Sequence, residues 1–175
     1  MPIAPTLLIL AVLGQSPAPS PHIEYYLSES RVYAPDDKPV GILSGLIRRE
    51  YLPAERKLIE MGIALDPTPG ALPTVTVIEW SVDGKTAAIT ERSGRINGKG
   101  TLIGPPFAWT EWKWTVTMKD VPGTFRNAAK QTTRGVAIRT EQIDAAGKRL
   151  AFFDQVDTKI TKETYDILRA KLLPQ

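Results

Sequence analysis

The chain has 175 residues, 42% hydrophobic and 23% charged, an ordinary globular composition that excludes a disordered or collagen-like protein. It holds no cysteine and one histidine, which excludes disulfide scaffolds, lipoprotein anchoring through a cysteine, and zinc or other soft-metal sites. The net charge of +3 is dispersed along the chain, as on a solvated surface, and argues against nucleic acid as a partner.

Nothing charged precedes Glu24, and Leu7 to Leu13 forms an apolar run far shorter than the roughly 20 residues that span a bilayer. Ser16-Pro17-Ala18 has small residues at the spacing of a cleavage site, so residues 1–18 are predicted to be a signal peptide. Residues 19–22 then form a proline-rich spacer, and residues 23–175 a single antiparallel β domain with a terminal helix over 162–173. The expected location is periplasmic or secreted, with no membrane span left after processing. A secreted domain without disulfides suits a bacterial envelope.

Strand signals follow with turn chemistry between them. Ile23 to Tyr33 stops at Ala34-Pro35-Asp36-Asp37, and Val40 to Tyr51 and Lys57 to Leu65 flank Leu52-Pro53-Ala54. In the latter run Ile59, Met61, Ile63 and Leu65 alternate as one strand face. Asp66 to Pro73 is too rich in proline for a regular element. Pro73 to Val82 and Lys85 to Ser93 make a hairpin about Asp83-Gly84, with Ile78, Trp80 and Val82 on one face. A further hairpin is predicted at Asn97-Gly98. The run Phe107 to Lys119 puts Trp112, Trp114, Val116 and Met118 on one face and Trp109 on the other. Gln131 to Ile143 and Lys148 to Ile160 form a last hairpin about Asp144-Ala145-Ala146-Gly147, with Leu150, Phe152, Val156 and Ile160 pointing one way. Thr161 can cap the closing helix, whose stripe is Tyr165, Leu168 and Leu172.

Eight or nine hairpin-connected strands with one late helix predict an all-β, up-and-down barrel, because closure removes the edges of a long meander. A two-sheet sandwich is the alternative. The plan resembles the calycin architecture of lipocalins and their bacterial relatives. It lacks the glycine-tryptophan pattern expected on a lipocalin's first strand.

The candidate site is an interior wall of Trp80, Trp112, Trp114 and Phe152. Paired indoles make a flat apolar surface for a ligand, or they fill a narrow barrel as core. Alternation also puts Arg49 with Leu43 and Ile47, Glu91 with Ala87 and Ile89, and Asp154 with Phe152. Charges at such positions require an internal arginine–carboxylate pair, a wet cavity, or strand ends that bend into solvent. Arg49 and Asp154 are therefore the expected polar anchors. Glu91 and Asp154 are weak candidates for an acid/base pair. His22 is assigned to the spacer, so a Ser-His-Asp site is not expected. Gly84-Lys85-Thr86 lacks the earlier glycine of a phosphate loop, since position 79 is Glu79. No cofactor is expected. The sequence thus points to an exported barrel that binds a small hydrophobic or amphipathic, lipid-like ligand. The alternatives are a hydrolase or isomerase working through interior carboxylates, and an envelope protein-interaction module with a solid core.

Overall fold

The computed structural model describes residues 20–65, 73–104 and 110–172. Its strands are β1 (His22–Tyr33), β2 (Pro39–Leu52), β3 (Lys57–Ala64), β4 (Thr74–Trp80) and β5 (Thr86–Glu91), then β6 (Ile96–Ile103), β7 (Glu111–Met118), β8 (Thr124–Thr132), β9 (Gly135–Ile143) and β10 (Arg149–Ile160). Each pairs antiparallel with its sequence neighbours, and β10 pairs with β1, so the meander closes into a barrel. There are ten strands rather than eight or nine. The calls on residues 1–18, Trp109 and most of the proline-rich segment lie outside the described residues.

The turns form where local chemistry requires them. A 3-10 turn at Pro53–Glu55 joins β2 to β3, with Arg56 in the left-handed region. Between β4 and β5, Gly84 takes a positive φ of 67° while the Asp83 carboxylate accepts from the Ser81 hydroxyl and the Lys85 N–H. Asp144 shapes the β9–β10 turn in the same way, accepting from the N–H groups of Ala146 and Lys148.

Two segments differ from expectation. Asn97-Gly98 is not a turn but lies within β6. Gly98 and Gly100 face Val116 and Trp114 across the β6–β7 pair, and a Cβ at either position would collide with those side chains. Both glycines permit close approach, a role that resembles turn chemistry in sequence. The second difference is β8, formed by a stretch in which no strand is predicted; only Phe125 and Ala129 of it are buried. The strand before the last turn accordingly starts at Gly135, not at Gln131.

Alternation then sorts side chains into an inner and an outer set. Ile89, Val116 and Phe125 form the buried inner cluster, with Ile78, Ile96, Trp114, Met118 and Phe153 packed against it. The Ile59–Met61–Ile63 stripe of β3 takes the outer face, while Leu58 and Glu60 face inward. Part of that outer stripe is covered by helix α1 (Lys162–Leu172). Thr161 caps it, its hydroxyl accepting from the Thr164 N–H at 3.1 Å. Tyr165, 2% exposed, packs with Leu46 and Ile63, and Leu65, Leu168 and Leu172 close around them.

No helix among the described residues is long and apolar enough to cross a membrane. The outer face of β6 to β9 carries exposed Lys99, Lys113, Arg126, Lys130 and Arg139, unlike the apolar band of a lipid-facing barrel.

The fit at Gly100 yields a direct check on the β6–β7 register. Gly100→Ala should cost about 1–3 kcal/mol in urea unfolding and shift tryptophan emission, because the Trp114 ring must move. A variant as stable as the parent, with unchanged emission, would contradict the pairing.

Candidate functional site

The barrel interior holds a hollow of about 330 Å³. Trp80, Trp112 and Trp114 line it together with Ile78, Ile89, Leu102, Val116, Met118 and Phe125, forming an apolar wall on β4 to β8. Trp112 and Trp114 are only half-buried because the strands turn them toward this space. The opposite side is polar, with Arg49, Tyr51, Glu60, Thr76 and Gln155 among its residues.

Arg49 organises the polar side. Its residue is 5% exposed, and its guanidinium donates from Nε to Glu60 Oε2 at 2.7 Å and from Nη2 to Asp157 Oδ2 at 2.6 Å. Asp157 is 0% exposed, and its second oxygen accepts from Gln155 Nε2 at 2.7 Å. The Ser30 hydroxyl donates to Gln155 Oε1 at 3.2 Å, so both ends of that carboxamide are engaged. The guanidinium also lies over the Tyr26 ring, 4.6 Å from its centroid. Burial acts to lower the Arg49 pKa, but attraction from Glu60 and Asp157 outweighs it and holds the group charged above its ordinary value.

Glu60 and Gln155 also line a second hollow of about 440 Å³, bordered by Ser28, Ser30, Gly45, Gly62 and Thr74. The arginine cluster therefore stands between two spaces in one barrel.

A second polar group adjoins the cluster near the start of β1. Glu24 accepts from the Tyr26 hydroxyl and from Lys159 Nζ, both at 2.6 Å. Burial works to raise its pKa, yet these hydrogen bonds hold it below the usual carboxylate value. Burial, reinforced by Glu24, pushes the Tyr26 phenol well above its ordinary value; burial also raises Tyr51 against the pull of Arg49. Both phenols are thus protonated donors at neutral pH. His22 opens β1 and stacks on Tyr51, with centroids 4.5 Å apart and planes 6° from parallel.

The sequence candidates divide between the two faces of the sheet. Arg49, Trp80, Trp112 and Trp114 meet at the indole-walled hollow. Phe152 and Asp154 do not, because Gln155 and Phe153 take the inner face of β10 and put the even-numbered residues outside. Phe152 is instead buried on the outer wall, stacked on Tyr33 with centroids 4.4 Å apart and with the guanidinium carbons of Arg139 and Arg149 4.6 and 4.8 Å from its ring centre. Asp154 lies 3.8 Å from Arg139, both half-exposed. Glu91 shares the inner face of β5, opposite Thr76, and accepts from the Ser93 hydroxyl. β5 and β10 lie on opposite sides of the barrel, so Glu91 and Asp154 are not brought together.

An internal arginine–carboxylate pair is present, but its carboxylates are Glu60 and Asp157. Glu60 carried a usable signal: counting outward equally from the four-residue turn Pro53–Arg56 sets it opposite Arg49. Asp157 reaches the site through β1–β10 closure, which no local turn specifies. Asn127 was also missed. It lines the indole-walled hollow, and its Oδ1 is buried without a hydrogen-bond partner.

Compared with protein-family models, with curated proteins and with solved structures, the chain matches none. No group of three or more metal-binding side chains occurs among the described residues.

The Glu24 contacts have a pH signature. A carboxylate lowered in the folded state adds stability above its unfolded pKa and loses it as pH falls through the folded value. Glu24→Gln should cost about 1–2 kcal/mol at pH 7 and flatten the stability profile between about pH 5 and pH 3. Urea unfolding across that range checks this, and an unchanged profile would rule out the ionised Glu24 contacts.

Proposed function

We propose that this barrel binds a small hydrophobic or amphipathic molecule in the hollow between the indole wall and the Arg49 cluster. The observation that carries the reading is the hollow itself, about 330 Å³ with three tryptophans on one side and a compensated buried charge on the other. Binding sites for small molecules have this character, mostly apolar with a few placed polar groups. Covering about 200 Å² of apolar ligand surface is worth about 5 kcal/mol before ordering costs, which corresponds to a Kd of about 0.2 mM at best from that surface alone. Residues 1–18, read as an export signal, favour a setting outside the cytoplasm.

The hydrolase or isomerase reading loses its proposed pair, since Asp154 is on the outer face. The interaction-module reading has one supporting feature. Val40, Ile42 and Leu43 are 60–69% exposed at the start of β2, before its pairing with β3 begins at Gly45. The hollow supports ligand binding more strongly, because a solid core would leave no such space beside three indoles.

Titration with the neutral fluorophore N-phenyl-1-naphthylamine, followed by its enhancement and by tryptophan quenching, tests the reading. Saturable binding is expected, and Trp114→Ala should weaken it while the barrel stays folded. Absence of any binding, with Trp114→Ala costing about 3–5 kcal/mol of stability, would show that the indoles serve only as core.

A further inference from the structure

Two of the polar groups that line the indole-walled hollow, Glu60 and Asn127, offer acceptor oxygens to it. Arg49 is the cation nearest that space, but its Nε and Nη2 are already committed to Glu60 and Asp157. Two carboxylates meet one guanidinium, so the cluster carries one negative charge in excess. Neighbouring Glu24 and Lys159 pair with each other and leave that balance unchanged. Glu60 is the accessible member. Its side chain is 30% exposed and lines the hollow, and among the described residues its Oε1 accepts no hydrogen bond. Across the space Asn127 offers Oδ1, buried and unpartnered. A donor-bearing ligand would satisfy that buried acceptor.

The surrounding wall fits the same chemistry. Indole faces attract cations through their quadrupole, more strongly where water is excluded. An anionic head in this space would meet an arginine already satisfied twice and an uncompensated carboxylate oxygen. A cation would meet Glu60 and the rings.

We propose that the ligand class is a protonated amine on an apolar body, its cation held by Glu60 against the indole wall. This inference rests on the ligand-binding reading above and adds to it the charge of the head group.

The test uses three ligands with one tail, decylamine, decanol and decanoate, each displacing N-phenyl-1-naphthylamine from the full chain at neutral pH. Decylamine should bind about tenfold more tightly than decanol, with decanoate weakest. Glu60→Gln keeps an oxygen for Arg49 Nε and should abolish the amine's advantage over decanol. Decanoate binding as tightly as decylamine would overturn the proposal and make Arg49 an anion anchor. Equal binding of all three would overturn it too, leaving the ligand-binding reading intact. Failure of the fluorophore and all three ligands to bind would reject that reading and this one together. Should Glu60→Gln fail to fold, the ranking on the unaltered protein decides by itself.

Discussion

The buried charge of Arg49 is the constraint around which the interior is arranged. An isolated guanidinium in a dry interior costs several kcal/mol, so the fold must bring counter-charges to it from other strands. Glu60 arrives from β3 beside it, and Asp157 from β10, beyond β1. The second contact forms only when the barrel has closed, so the ion cluster and closure of the sheet depend on each other. Gln155, Ser30 and Tyr26 then satisfy or cover what remains of the cluster.

A cluster fixed this way keeps one side of the interior from filling with apolar side chains. The indoles on the other side are placed by a second constraint, the glycines of β6. Gly98 and Gly100 leave room for Val116 and Trp114 to lie close against the neighbouring strand. Between a charged side that cannot collapse and an aromatic side fitted to its own strands, space remains. Helix α1 adds its apolar burial on the outside, against Leu46 and Ile63, and leaves the interior unoccupied.

Much of this was legible from the sequence, and the failures share a cause. The hairpin about Asp83-Gly84, the inward Trp112–Trp114 face, inward Arg49 and the capped terminal helix all follow from local periodicity and turn chemistry. On other strands periodicity shows the faces but not which of them is inside. The β3 stripe of Ile59, Met61 and Ile63 is legible as one face, but that it is the outer face follows from the register with β2, which sets Glu60 beside inward Arg49. Phe152 reads as core in the sequence. It finds burial on the outer wall, where Tyr33 and two arginines cover it. β8 was missed because Arg126 to Lys130 offers little apolar alternation, and its pairing comes from neighbours on both sides. Contacts made by closure, above all Asp157 with Arg49, have no local signature.

The central claim is that Arg49 and Asp157 stabilise the closed barrel as a coupled pair. A double-mutant cycle of Arg49→Met and Asp157→Leu, read by urea unfolding, tests it most directly. Arg49→Met should cost about 3–5 kcal/mol by leaving Asp157 buried without its counter-charge, and Asp157→Leu less, because Glu60 still pairs with Arg49. The double variant should lose well under the sum, since both charges depart together. Strictly additive losses, or a neutral Arg49→Met, would contradict the account.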